Sequence, residues 1–476
     1  MELDAYRREA QAFTTALGRE HYLHFAGLKP SLEVEPIYQA HAGLFTPAAA
    51  ETLRKARAPA LLEFCVEGLI GRATAAEAAE LARREAELEL DVEGASIPFR
   101  RAPIDQANEP DRRRRGAIEA ARLEAIAGTL DPLHERILER GQALAGELGW
   151  SSVREMCAEL SGIDLRALAA QAEALLVATE PAFRRVAEPR LHAEAGDGAV
   201  RRSDLPAFFR APSLDDRFPA EPLVPSLRET LEALGVEAPE RVTLDAESRA
   251  TKSPRAFCTA ARVPEEVYLV ISPHGGRDDY EAILHEAGHA QHFAHVDDRL
   301  PFERRHLGDN SVTEAYAFLL QRLATEPLWL QRHLRAERLE ELLDHGRATK
   351  LVLVRRYAAK LLYEVELHDS SGGRQMLRRS YARRLSSALK IDWPEETWLA
   401  DVDPFFYAAR YLRAWALESE LAGDFAGELG PEWFREPEAG RRLRDLWAEG
   451  QPWSARELLG REPDLSALSA ELATTA

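Results

Sequence analysis

The chain has 476 residues, 45% hydrophobic and 30% charged, and its 61 Lys+Arg against 80 Asp+Glu give a formal net charge of −19. That balance argues against a dedicated nucleic-acid or anionic-membrane partner, because phosphate binding needs a basic face. Three scattered cysteines, Cys65, Cys157 and Cys258, give neither a disulfide framework nor a cysteine-type zinc site. No apolar run reaches membrane-spanning length, and the N-terminus lacks the basic and apolar blocks of a signal peptide, so a cytoplasmic location is expected.

Ala, Leu, Glu and Arg dominate, and apolar residues recur at helical spacing almost throughout. Residues 1 to 90 read as several helices, broken at Gly27-Leu28-Lys29-Pro30 and near Arg57-Ala58-Pro59. Residues 94 to 113 are looser, with Pro98, Pro103 and Pro110, and a helix follows through Arg115 to about Leu130. The basic run Arg112 to Arg115 reads as a solvated, salt-bridged face. Residues 114 to 190 read as two or three long amphipathic helices. Residues 194 to 225 are rich in Gly, Pro, Asp and Ser, and the pair Phe208-Phe209 implies that this stretch packs down. The main boundary is placed there, giving an N-terminal helical region, 1–195, and a catalytic region, 196–476.

Strand signals cluster at Arg241 to Leu244, Ala256 to Ala260 and Glu266 to Ile271. The last, a run of β-branched and aromatic residues, fits a buried strand, and Pro264-Glu265 can turn the chain into a hairpin. Ser272 to Asp279 is a Gly-containing loop, and from residue 311 the pattern is helical again. Ser371-Gly372-Gly373-Arg374 lacks P-loop spacing, so no nucleotide site is assigned. The expected fold is mainly α: a large helical body with a deep cleft and a small β-sheet element.

Just after the third strand signal stands His285-Glu286-Ala287-Gly288-His289, an HExxH motif on an amphipathic helix. Histidines four residues apart lie on one helix face, one turn apart, so both imidazoles can reach one ion of zinc size. The intervening glutamate points into the same space without having to bind the ion, and can act as general base on a water. Ile283, Leu284 and Phe293 can bury one side of the helix, and Gly288 lets another element approach closely. His292 and His295 read as hydrogen-bonded supporting or surface histidines rather than ligands.

A catalytic zinc site usually takes three protein ligands. Glu314, in Ser311-Val312-Thr313-Glu314, is the preferred third ligand, on a helix that can pack against the first. Two alternatives stay open. Ser311 with Glu314 matches an S-x-x-E capping box, in which the glutamate only caps its own helix. Asp297, Asp298, Glu303 and Asp309 are other acidic candidates, and spacing alone does not choose among them.

His285-Glu286-Ala287-Gly288-His289-Ala290-Gln291-His292 resembles the HExGHAxH signature of the thimet oligopeptidase and oligoendopeptidase F group of zinc metallopeptidases. The likeness covers about residues 250 to 320, and the helical remainder more weakly. It implies one Zn2+ ion held by His285, His289 and Glu314, the last matching the family's downstream glutamate, with Glu286 as general base. It further implies hydrolysis of short peptides. Lys252 to Cys258 and the strand after it resemble the family's stretch before the motif, where an edge strand holds extended peptide by main-chain hydrogen bonds.

Near the C-terminus, Pro404-Phe405-Phe406-Tyr407-Ala408-Ala409-Arg410-Tyr411 resembles the family segment whose tyrosines stabilise the oxyanion, so Tyr407 and Tyr411 are further candidates. An aromatic core stripe with Phe405, Phe406 and Trp415 is the alternative reading of these rings. Arg410 and Arg413 read as surface charge. No histidine precedes Tyr407 from Trp393 onward, and a further family tyrosine is replaced near Ala414. Carboxypeptidases of the Taq type are the second choice, since their motif usually carries a tyrosine where this chain has His292. An inactive helical peptide-binding protein is the third.

Overall fold

The structure, a computed structural model, describes residues 2–196, 198–335, 339–369 and 372–474. It is mainly α-helical, with two small sheets. In chain order the elements used below are α1 (Leu3–Phe25), β1 (Glu89–Val92), β2 (Ala95–Pro98), α2 (Arg112–Ala125), β3 (Val242–Asp245), β4 (Phe257–Arg262), β5 (Glu266–Val270), α3 (Arg277–His295), α4 (Asn310–Gln321), α5 (Glu340–Asp369) and α6 (Tyr407–Leu429). The chain divides into two compact units, each interleaved in sequence. One takes Met1–Gly68, Ser213–Leu343 and Arg413–Pro463. The other takes Leu69–Pro212, Asp344–Leu412 and Asp464–Ala476.

The first unit contains a three-stranded sheet in the order β3-β5-β4. The β4–β5 hairpin is antiparallel and pairs Cys258 with Leu269, while β3 runs parallel to β5. All three strands fall within one or two residues of the predicted stretches 241–244, 256–260 and 266–271. Helix α1 packs on the sheet through a Tyr22–Tyr268 ring stack with centroids 3.7 Å apart and an Arg19–Glu266 ion pair of 2.6 Å. Gly18 of α1 stands against the Ala260 carbonyl, where an added Cβ would lie 2.8 Å from the oxygen. The small residue thus lets α1 press on the margin of β4.

A buried lysine ties the sheet ends together. The Lys252 ammonium is fully enclosed and donates to the Asp245 carbonyl and carboxylate, the Glu247 carbonyl and the Ile271 carbonyl, all at 2.8–2.9 Å. It links the end of β3, the loop before β4 and the loop after β5.

The second unit holds the hairpin β1–β2, which the sequence reading missed within a stretch read as helix and loose chain. Its two-residue turn is Glu93-Gly94, both with positive φ, the conformation a tight hairpin demands. Leu90, Val92 and Ile97 pack with Ile118, Ile126 and Leu130. Helix α2 begins at Arg112, and its basic run corrects one expectation. Arg113 and Arg114 reach Glu93 and Glu109 on the surface, but Arg115 is buried, bound to Asp204 at 3.2 Å. In the same unit Lys360 of α5 pairs with Asp403 at 2.7 Å, and Glu364 accepts the Asp403 N–H at 2.9 Å. These contacts hold the turn Phe405-Phe406, two aromatic residues in the left-handed region at φ 53° and 55°. Ser371 of the Gly-rich stretch lies outside the described residues.

Candidate metal centre

Helix α3 follows the sheet and buries Tyr280, Ile283, Leu284, Ala287, Ala290 and Ala294. Its opposite face carries the motif. Helix α4 crosses it at Gly288, which sits against the backbone of Tyr316 and Ala317. That approach brings Glu314 to the histidine pair. Glu314 Oε2 lies 3.4 Å from His285 Nε2 and 3.7 Å from His289 Nε2, and the three side chains are largely enclosed. One ligand atom from each lies within 4.8 Å of the others, the one such His/Cys/Asp/Glu group among the described residues.

The two carboxylate-to-imidazole separations are near those that a tetrahedral ion requires. Zinc–nitrogen and zinc–oxygen bonds of about 2.0–2.2 Å place ligand atoms roughly 3.3 Å apart. The far side of each ring is also held. His285 Nδ1 is 2.8 Å from Gln321 Oε1, and His289 Nδ1 is 2.9 Å from Thr313 Oγ1. An amide oxygen only accepts, so a hydrogen on His285 Nδ1 satisfies this contact and would leave Nε2 free to face an ion between it and Glu314. Two imidazoles and one carboxylate, so oriented, fit a divalent ion of the zinc class.

Electrostatics fits neutral donors at His289, which burial pushes down to about 4. At His285 burial opposes the charge most strongly, but Glu314, Glu286 and the Gln321 contact together move the ring upward. Glu286 is raised above the usual carboxylate range by burial. Its Oε2 accepts the Cys258 N–H of β4 at 2.8 Å, so the sheet fixes its orientation.

Other candidates find other roles. The N-cap of α4 is Asp309, whose side chain accepts the Ser311 N–H at 3.0 Å. Ser311 is therefore inside the helix, and the capping-box alternative for Glu314 does not form. Asp297 pairs with Arg299, and Glu303 with Arg7. His292 is fully buried against the Phe293 and Tyr316 rings, and burial lowers it to about 3. His295 Nδ1 contacts the Gln291 carbonyl at 2.8 Å. Tyr407 and Tyr411 belong to the second unit, where their rings meet edge to face at 4.9 Å and Tyr411 meets Tyr357 at 5.1 Å. Arg410 and Arg413, expected on the surface, are buried at 4% and 3% exposure, and Arg413 pairs with Asp309 at 2.9 Å. Sequence reasoning missed Thr313 and Gln321. The available signal was their place beside Glu314 on one helix, Gln321 two turns on and Thr313 one residue before.

No protein-family model matches the chain, and no curated protein matches it. Among solved structures, one described as "PZ peptidase A with inhibitor 2" is similar to it with a TM-score of 0.63 at 13% identity, over 99% of this chain and 85% of that one. The chain therefore shares its fold, at a distance, with a peptidase.

Proposed function

We propose that this chain is a cytoplasmic zinc metallopeptidase that hydrolyses peptide bonds in short peptides, in the manner of the oligoendopeptidases. In this reading residues 196–476 carry the chemistry. The observation that carries it is the convergence of His285, His289 and Glu314 beside Glu286. The signature resemblance and the fold likeness to a peptidase support it.

His285, His289 and Glu314 would hold the ion, which supplies Lewis acidity toward water and toward the scissile carbonyl. Glu286 takes the proton of the attacking water and delivers it to the leaving amine nitrogen. Its Oε2 is held by the Cys258 N–H, which aims Oε1 for that transfer. Tyr407 and Tyr411, through the family resemblance, donate phenol hydrogens to the developing oxyanion.

The substrate strand is restricted by the margin of β4. In an antiparallel ladder the N–H and C=O of one residue point the same way. Cys258 thus faces outward toward Glu286, and so does Ala260, whose carbonyl is covered by Gly18 of α1. An extended peptide would add near the N-terminal end of β4, next to the general base, with the Cys258 N–H kept by Glu286.

Cleavage mapping of a peptide library by mass spectrometry, with and without chelator and with Glu286→Gln, tests the proposal. Internal cuts that vanish with chelator and with Glu286→Gln are the expected result. Release of C-terminal residues alone would favour the carboxypeptidase reading. Bound zinc without turnover by the native chain would favour an inactive peptide-binding protein.

A further inference from the structure

Helix α4 supplies Thr313, Glu314 and Gln321, hence the carboxylate and the partners of both imidazoles. An α-helix advances about 1.5 Å and turns about 100° per residue. A slip of one residue would therefore turn Glu314 away from the histidines and part both ring contacts. The register of α4 must be fixed by something other than the ligands.

Two ion pairs grip its ends, one buried on both sides and one joining a half-buried arginine to a buried glutamate. At the N-terminus, Asp309 accepts from Arg413 Nη2 at 2.9 Å and from the Ala455 N–H at 3.2 Å, besides capping the helix through Ser311. Asp309 and Arg413 are each 3% exposed. Arg413 also reaches the more exposed Glu462 at 3.5 Å. At the other end Arg322, the residue after α4, binds Glu418, which is 1% exposed. It also approaches Glu326 at 3.9 Å. Both partners, Arg413 and Glu418, come from α6, and between the two pairs Phe318 stacks on Trp415 at 5.0 Å. The anion lies at the N-terminus of α4 and the cation at its C-terminus, the polarity the helix dipole favours.

Buried ion pairs are weak sources of net stability, because desolvation cancels most of the attraction. What they supply is position, since each ties one end of α4 to a fixed place on α6. We propose that Asp309–Arg413 and Arg322–Glu418 form a register clamp, and that these four are positioning residues setting Glu314, Thr313 and Gln321 against the histidine pair. The inference rests on the reading of His285, His289 and Glu314 as metal ligands.

The test is zinc affinity, read by competition with a chromophoric chelator, beside thermal stability of the metal-free protein. Three variants of the full chain are compared: Asp309→Asn, Arg413→Lys, and the paired apolar replacement Arg322→Met with Glu418→Leu. The paired replacement is expected to keep the melting temperature near that of the native chain while weakening zinc about 10-fold or more, the usual effect of disturbing groups behind metal ligands. Asp309→Asn weakens zinc comparably, and Arg413→Lys, which keeps the charge, weakens it less. Zinc affinity within twofold of native in both Asp309→Asn and the paired replacement overturns the clamp. A native chain that binds no zinc, or binds it equally well as Glu314→Gln, overturns the metal-site reading itself and the clamp with it.

Discussion

Gly288 and Ala317 hold the two site helices at contact distance: a methyl group at position 288 would lie 2.5 Å from the Ala317 Cα and 2.7 Å from the Tyr316 carbonyl oxygen. Both contacts are to backbone, which cannot rotate aside. Gly288→Ala is therefore expected to destabilise the protein by about 1–3 kcal/mol through overpacking, despite the better helix propensity of alanine. The forced separation also carries Glu314 away from the histidines. Denaturant unfolding and zinc titration of the variant check both effects, and an unchanged or raised stability would show that the helices are not in contact here.

Glu286 and the three ligand side chains are expected to fail differently. Glu286→Gln keeps the ligands intact, so metal content should stay near one ion per chain while peptide turnover falls about 10²–10⁴-fold, the range of a lost general base. His285→Ala or His289→Ala should lose both. Metal analysis beside turnover of a quenched peptide separates the two classes. Turnover by Glu286→Gln near the native rate would remove the proposed proton carrier.

Lys252 offers a prediction far from any chemistry. Its ammonium meets four oxygens in a fully enclosed place, one of them from the Asp245 carboxylate. Lys252→Met strips one of two cations from a buried carboxylate, leaving Arg249 and the Glu247 N–H, and should cost about 3–5 kcal/mol. Urea unfolding reads the change. A loss under 1 kcal/mol would mean that Arg249 and solvent compensate.

Stability should also depend on pH through Glu364. Burial drives this carboxyl up to about 8, with nearby Lys360 opposing, and its Oε2 has no hydrogen-bond partner among the described residues. The folded chain then keeps a proton that the unfolded chain gives up near its ordinary value of 4.5. A group raised on folding contributes stability below the unfolded value, and that contribution drains away as pH climbs through the folded one. The melting temperature should thus decline between about pH 5 and pH 8, with a free-energy component on the order of a few kcal/mol. Glu364→Gln, which can still accept the Asp403 N–H, should flatten that decline. A variant with the native slope would assign the effect to other groups.

How far the sequence reached depends on how local each feature is. The hairpin of the larger sheet was visible because Val267 to Ile271 is an apolar run rich in β-branched residues with a Pro264-Glu265 turn before it. The hairpin at Glu89–Pro98 was not, because its four-residue strands follow a helical pattern and its one turn signal is Glu93-Gly94. The HExxH pair is an i,i+4 feature, readable from five residues. The approach of Glu314 needs two helices in contact, and Gly288 was the local hint of it. Arg115 and Arg413 were misread because an amphipathic pattern does not reveal that Asp204 or Asp309 waits inside. Tyr22 on Tyr268 and Gly18 on Ala260 join residues some 240 positions apart, beyond any periodicity.

That long span has a consequence for how the chain matures. The unit with His285, His289 and Glu314 is assembled from three stretches, the last beginning at Arg413, and Asp309 finds its arginine 104 residues downstream. On a ribosome, the histidines and Glu314 emerge long before Arg413 and Glu418 do. Compaction through such distant partners is slow and comes late. Closure of the His285, His289 and Glu314 group therefore belongs to the closing moments of biogenesis, and a chain that stops short of residue 413 would carry the motif without the means to hold it in shape.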